Sequence, residues 1–479
     1  MMDLTQSFTQ QIAKLDRGTR TPLSRQIYER FRTAIAQGTL RPGDRVASAR
    51  SLASELGVAR GTIEVAYSQL AGEGYLLPQG QAGTVVSPAL PRHRPPRRGP
   101  RHADAPPLGE VLTQPLAPPP LQMGIPALDA FPRKLWARLA TRRVRATSAV
   151  DLSYGDPSGH PPLREAIAAY LLVSRGVACH PSQVFVTGGY RASLALVTHT
   201  LLRKDERVWV EDPGFAPTHD VLRRAGQHIV PVPVDAEGLV VARGIRKAAK
   251  ARMAIVTPSH QAPLGVSMTL ARRLQLLAWA SQANAWIVED DYDGEYRYAG
   301  PPLPALKSLD HKNRVLYAGS FSKVLYPGLA LGYLVVPEAL RKPFQENALA
   351  WSNGSPQLTQ AIVADFLRDG HFSRHLKKMR LLYGRRRAML AAALLNAFGD
   401  AVRIDLQSGG MHLIARFDQS REDDVALAQR AQRAGLNCQP LSVRGVAGPA
   451  ENGLLMGFTN VASRAQAQQL ATRLRKAIE

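Results

Sequence analysis

Lys323 stands in "GSFSKVLYPGLALGYL" (319–334), inside a small-residue loop, ahead of Pro-Gly and a run that reads as a buried strand. Thirty-three residues upstream, "EDDYD" places Asp290 and Tyr292 at the end of another apolar run. "VTGGY" opens a helix, so the backbone N–H groups around Gly189 and Tyr190 are placed to hold a phosphate. The chemistry these types share is that of pyridoxal phosphate (PLP). Its aldehyde forms a Schiff base with a lysine, a carboxylate keeps its ring nitrogen protonated, and a phenol hydrogen-bonds its ring hydroxyl. Phe215, two residues beyond Pro213, suits stacking on the ring, and Ser320 suits donation to the phosphate. Each piece alone also fits a plain loop lysine or strand-end acid, and adjacent Asp291 competes with Asp290 for the carboxylate role.

The elements that would bring these residues together are legible. "SQVFVTGG" (182–189), "RVWVEDPG" (207–214), "MAIVTPSHQ" (253–261), "AWIVEDDYD" (285–293) and "RVLYAGS" (314–320) are short apolar runs with polar or glycine-rich ends. Helical stretches such as 192–202 and 269–282 lie between them. Strand–helix alternation predicts a mostly parallel sheet covered on both faces. Ligands of such sheets collect at the carboxyl ends of the strands, where the polar residues fall.

With 479 residues, two or three units are expected, and 45% hydrophobic with 21% charged content is that of a globular protein with a full core. No apolar run approaches the roughly 20 residues of a membrane span, and "MMDLTQSFTQ" lacks the features of a secretory signal. Cys179 and Cys438 provide neither a disulfide framework nor metal-ligand spacing, so a cytoplasmic protein without membrane partners is expected. The net charge of +23 and a pI near 10.5 point to a polyanionic partner.

A module for such a partner lies at the N-terminus. In 21–38, Thr21 suits a cap, Pro22 the first helical position and Gly38 the stop, with Leu23, Ile27, Phe31 and Ile35 as the buried stripe. Ser48 suits the cap of a short helix holding Leu52 and Leu56, and Gly57 ends it. A second helix then puts Ile63, Ala66, Tyr67 and Leu70 inward, a helix-turn-helix pattern. The runs around Gly80 and Gly83 read as a hairpin wing. From 88 to 120 the chain turns Pro- and Arg-rich (Arg92, Arg94, Arg97, Arg98, Arg101), which reads either as a tether spanning on the order of 100 Å if extended or as one whose arginines add non-specific phosphate contacts.

In order and spacing, "ASAR", "LASELGVARGT", "AYSQLAGEGYL" and "GTVV" resemble the winged helix of GntR-family regulators. "YGDPSGHPPLREAIAAYL", "EDPGF", "TPSHQAPLG", "EDDYDGEYRY" and "SFSKVLYPG" resemble the MocR subgroup, in which that winged helix is joined to a class-I aminotransferase-like unit. The resemblance implies a multidomain chain. Residues 10–87 would be a winged helix-turn-helix (α+β), 88–120 a linker, and 121–479 an α/β PLP-dependent transferase fold of type I with large and small subdomains. It implies double-stranded DNA as partner, with Arg50 on phosphate, Arg60 and Thr62 at the exposed start of the recognition helix, Gly61 allowing close approach, and Gly83 turning the wing. It also implies a homodimer, whose two winged helices suit direct or inverted half-sites.

The pattern breaks in places. Ala59 stands where a capping serine is usual, at a cost of roughly 1 kcal/mol. Ala330 replaces an arginine that clamps the cofactor phosphate, for which Arg191 is either a substitute or an outward-pointing bystander. Leu455 in "GLLMGF" replaces an arginine that pairs with a substrate carboxylate, and Ala262 replaces an aromatic residue. Three readings follow. The chain is a regulator whose PLP-binding unit senses PLP or a small amine or amino acid, a working aminotransferase with an accessory DNA-binding domain, or a regulator with a degenerate, cofactor-free sensor.

Overall fold

The computed structural model describes residues 15–19, 21–90, 118–298, 303–351, 355–417, 423–448 and 450–478. The five linker arginines lie outside these residues. Two compact units divide near Thr113.

In the first unit, α1 (Leu23–Ala36), α2 (Ala49–Leu56) and α3 (Arg60–Gly72) close a core of Ile27, Phe31, Leu52, Ile63 and Leu70. Strands β1 (Arg45–Val46), β2 (Leu76–Pro78) and β3 (Thr84–Val86) form a three-stranded antiparallel sheet, order β1-β3-β2. Ser48 caps α2 by accepting the Ser51 N–H at 3.1 Å, and Gly57 ends it in the left-handed region at φ 60°. Two expectations need correction. The cap of α1 is Pro22, with no side-chain bond from Thr21. Tyr28 and Ala34 complete the buried face of α1, while Leu23 and Ile35 are only half-buried. With 3.6 residues per turn, a strict spacing of four drifts about 40° per step around the helix, so a buried face must alternate threes and fours.

The second unit is built on an eight-stranded sheet. Its strands are β4 (Val184–Thr187), β5 (Arg207–Asp212), β6 (His228–Asp235), β7 (Gly238–Leu239), β8 (Met253–Val256), β9 (Trp286–Asp291), β10 (Val315–Ser320) and β11 (Gly332–Val335), ordered β4-β11-β10-β9-β8-β5-β6-β7. From β10 to β6 every pairing is parallel; β11 and β7 run antiparallel to their neighbours. Both faces are buried: Val208, Val210, Ile255 and Val288 pack on one side, Trp209, Ala254, Val256 and Ile287 on the other. Trp209 stacks on Trp279 at 3.7 Å between ring centroids, sealing the second side. A smaller antiparallel sheet, β12 (Arg403–Asp405), β13 (His412–Arg416), β14 (Gln439–Pro440) and β15 (Leu454–Gly457), packs with the helices Asp424–Arg433 and Arg464–Ile478 and with the long helix His371–Phe398.

Candidate cofactor site and nucleic-acid surface

The polar ends of β4, β5, β9 and β10 converge on a cavity of about 580 Å³. Gly189, Tyr190, Arg191, Phe215, Asp290, Tyr292, Ser320 and Lys323 all line it. Lys323 follows β10, and its Nζ donates to the Gly124 carbonyl at 2.9 Å. Burial pushes its ammonium below the ordinary lysine range, against the pull of Asp293 and Asp290. A lysine so placed is more readily the free amine, the form that attacks an aldehyde.

Strand alternation decides between the two aspartates. Asp291 turns away from the cavity, ion-pairs with the buried Arg175 and accepts the Tyr317 hydroxyl at 2.6 Å. Asp290 faces the cavity, and burial, reinforced by Asp291, Glu211 and Asp293, pushes its carboxyl well above the usual range. Lys323 opposes that rise without cancelling it, and a protonated ring nitrogen would add a second cation beside the buried acid. The Tyr292 hydroxyl lies 2.9 Å from His260 Nδ1, itself 3.1 Å from Asp293 Oδ1. Burial, with Asp293 adding, holds that phenol protonated.

Gly189 caps the helix Tyr190–Leu201 at φ 98° with no side-chain cap, leaving its first N–H groups open, and a Cβ there would meet nothing within 4 Å. The backbone of Gly332 packs so closely that a Cβ on it would sit 2.9 Å from the Gly189 Cα. The Tyr190 ring is braced by its hydroxyl on Thr218 Oγ1 at 2.8 Å and lies 6.0 Å from the Phe215 ring, centroid to centroid. Arg191 is exposed and lines the cavity, without an ion-pair partner among the described residues. Ser320 Oγ accepts the Ser322 N–H at 3.2 Å, tightening the turn that leads to Lys323. This donor set fits PLP: an amine, a buried acid, a phenol and an open helix N-terminus surround one space.

The departures are equally visible. Ala330 lines the cavity in the left-handed region, at φ 47° and ψ 45°. Leu455 is fully buried with Ile414 and Leu441, behind Met123 and Leu264, and does not reach the cavity. Arg444, which the sequence reading did not single out, does line it. Its guanidinium donates to Gln439 Oε1, and burial pulls its pKa down. It sits in the turn "LSVRGVAG", which carries no periodicity to flag it. His260 was likewise missed, although "TPSHQ" was in view.

In the first unit Arg50 is exposed on the first turn of α2. Arg60 opens α3 and is exposed, with an ion pair to Glu64 at 2.7 Å; Thr62 is half-buried, and a Cβ on Gly61 would point into open space. A solvated i,i+4 pair is worth only about 0.3–0.5 kcal/mol, so Glu64 does not withhold Arg60 from an anion. Gly83 turns the wing at φ 94°, and a Cβ there would touch the Arg45 guanidinium at 3.0 Å, a basic neighbour the sequence reading passed over.

Two family profiles match in the order of the two units. That of the "Bacterial regulatory proteins, gntR family" covers 23–86, and that of "Aminotransferase class I and II" covers 128–472. The chain belongs to the GntR-type regulators that carry an aminotransferase class I/II domain. Among relatives of this GntR type, the probable rhizopine catabolism regulatory protein MocR of Rhizobium meliloti is 37% identical over 456 residues, 93% of this chain and 92% of that one. The pyridoxine biosynthesis regulator PdxR of Corynebacterium glutamicum is 34% identical over 445 residues, 91% and 92% of the two chains. Among solved structures, the α-aminoadipate aminotransferase LysN of Thermus thermophilus, complexed with N-(5'-phosphopyridoxyl)-L-leucine, superposes with a TM-score of 0.67 at 29% identity, covering 75% of this chain and 91% of that one. The GntR assignment and this likeness account for both halves: a DNA-binding winged helix, and a fold of type I with its large sheet and smaller antiparallel sheet. Among the described residues no helix is long and apolar enough to cross a membrane.

Proposed function

We propose that this GntR-type regulator takes up PLP on Lys323 and reports it, or a small amine or amino acid arriving beside it, to its winged helix. The observation that carries this reading is the cavity itself, where Lys323, Asp290, Tyr292 and the Gly189 helix start meet. When bound, PLP would supply an electron sink and a visible chromophore. Lys323 would hold its aldehyde carbon, Asp290 its ring nitrogen, Tyr292 its ring hydroxyl, and Gly189, Tyr190, Arg191 and Ser320 its phosphate. With alanine at 330 and leucine at 455, two cations suited to fast turnover are gone, whereas a sensor needs only a ligand whose affinity differs between two states. Asp290, a buried acid kept on the wall of the cavity, speaks against a cofactor-free sensor.

On the DNA side, Arg50, Arg60, Gly61, Thr62 and the Gly83 wing form the operator-facing set, acting from the cytoplasm in a homodimer. Val150, Leu152 and Tyr154, about four-fifths exposed, are an apolar stretch that a second copy would cover.

A second reading is favoured by one observation: Arg444 puts a cation back in the cavity, so a carboxylate substrate still has a handle. One preparation separates the readings. The purified chain titrated with PLP should gain the visible band of a lysine-linked cofactor, lost in Lys323→Ala, and its affinity for the operator beside its own gene should change with PLP. Immediate bleaching of that band by a common amino acid would favour the working enzyme. No band at millimolar PLP would remove the cofactor from the account.

A further inference from the structure

A second cavity, of about 620 Å³, opens between the helix Pro161–Arg175, the segment after β9 and the start of the helix His371–Phe398. It shares no lining residue with the Lys323 cavity. Its floor is apolar: Phe372 and Leu376 are each 2% exposed, and Tyr170 stands against Phe372 edge-on at 5.1 Å. One carboxylate reaches the interior. Glu295 accepts the Tyr170 hydroxyl on Oε1 at 3.2 Å, while its Oε2 is buried with no partner. Burial pushes this acid up to about 7. Four arginines share the lining: Arg175, which is committed to Asp291 and opposes the rise at Glu295, the half-buried Arg297, and the exposed Arg368 and Arg380, neither of which has an ion-pair partner among the described residues.

A buried acceptor left without a donor costs about 1–3 kcal/mol, so native structures seldom leave one unexplained. A single water would satisfy Glu295 but would use neither the apolar floor nor the two exposed cations. The volume falls in the range of small-molecule pockets. We propose that this cavity is a second ligand site, for an amino acid with a large apolar side chain. Its ammonium meets Glu295, its carboxylate meets Arg368 and Arg380, and its side chain lies on Phe372 and Leu376.

Occupancy here bears on the cofactor cavity through one stretch of chain. Glu295 lies five residues after Asp290, and Arg175, which lines the second cavity, grips Asp291. That regulatory consequence rests on the function proposed above; the binding itself does not.

The test is calorimetric titration of the full-length chain with L-phenylalanine, and with phenethylamine and 3-phenylpropionate as half-ligands, in wild type and Lys323→Ala. One equivalent of L-phenylalanine per chain is expected in both proteins, with each half-ligand weaker by at least about tenfold. Glu295→Gln and Arg380→Ala should each weaken L-phenylalanine by a similar factor; Arg380 is exposed, so its loss leaves the fold intact. The proposal fails if no binding occurs at millimolar ligand, if Lys323→Ala alone abolishes it, or if neither lining variant matters. It fails equally if a dimer structure shows the second copy filling the cavity. Intact L-phenylalanine binding in a protein that takes up no PLP would sink the cofactor reading and leave this one standing.

Discussion

Ala330→Arg tests whether the cofactor phosphate sits where the geometry puts it. Residue 330 lines the cavity and already carries a Cβ in the left-handed region, so arginine adds no new backbone strain there. A charge-assisted bidentate contact to phosphate contributes about 1.5–3 kcal/mol, which at about 1.4 kcal/mol per decade is a ten- to hundredfold gain in PLP affinity. Arg191 already lines the same cavity with no ion-pair partner among the described residues, so part of that contact is expected to be in place. The gain should therefore be larger in an Arg191→Ala background than in wild type, and Arg191→Ala alone should weaken PLP. The assay is a visible-absorbance titration with PLP and, in parallel, with pyridoxal, which has the aldehyde and ring but no phosphate. Pyridoxal affinity should stay within about twofold across all four proteins of the cycle. Equal changes for both vitamers, or none for either, would refute the phosphate placement while leaving Lys323 untouched.

Two further outcomes concern stability. Ala59→Ser supplies the cap that α3 lacks, worth about 1 kcal/mol; in the full-length chain the transition of the DNA-binding unit should rise by roughly 4–8 °C in scanning calorimetry while that of the other unit stays put. Glu289 is fully buried, accepts the Leu306 and Lys307 N–H groups at 2.7 and 2.8 Å, and is pushed up to about 7 by burial, with Asp291 adding. The native state thus keeps a proton that the unfolded chain releases near 4.5, so this contribution is full below 4.5 and is lost as pH rises through 7. It is on the order of 3 kcal/mol, and the fall in urea midpoint between pH 5 and pH 8 should be shallower in Glu289→Gln; an unchanged slope would contradict the assignment.

What the sequence made legible follows from burial. The four strands that deliver the cofactor-site residues are covered on both faces, so they read as unbroken apolar runs, and their polar ends marked the site in advance. Lys323, Asp290 and Gly189 were found because their types match one cofactor's needs. The two-residue strands β7 and β14 are too short to show a period, and β13, "HLIAR", was not picked out. Arg175 reads from sequence as an ordinary basic residue in the last turn of a helix; only the fold shows it 3% exposed against Asp291. Arg444 could not have been placed, because its turn reaches the cavity from a different sheet. On α1, the spacing identifies the helix and two of its buried residues, Ile27 and Phe31, but misses Tyr28 and Ala34, which the 3.6-residue turn brings onto the same face.

Neighbouring aspartates on β9 look in opposite directions, and β9 is hydrogen-bonded along both edges, to β8 and to β10. A shift of a single residue anywhere in that strand would hand the acid meant for a ring nitrogen to a guanidinium, and the reverse. A side-chain exchange such as alanine at 330 leaves that register untouched, whereas an insertion or deletion between Trp286 and Asp291 would overturn it. Indel-tolerant and indel-intolerant stretches of the gene should therefore be separable by a deletion scan alone, with this hexapeptide among the least forgiving.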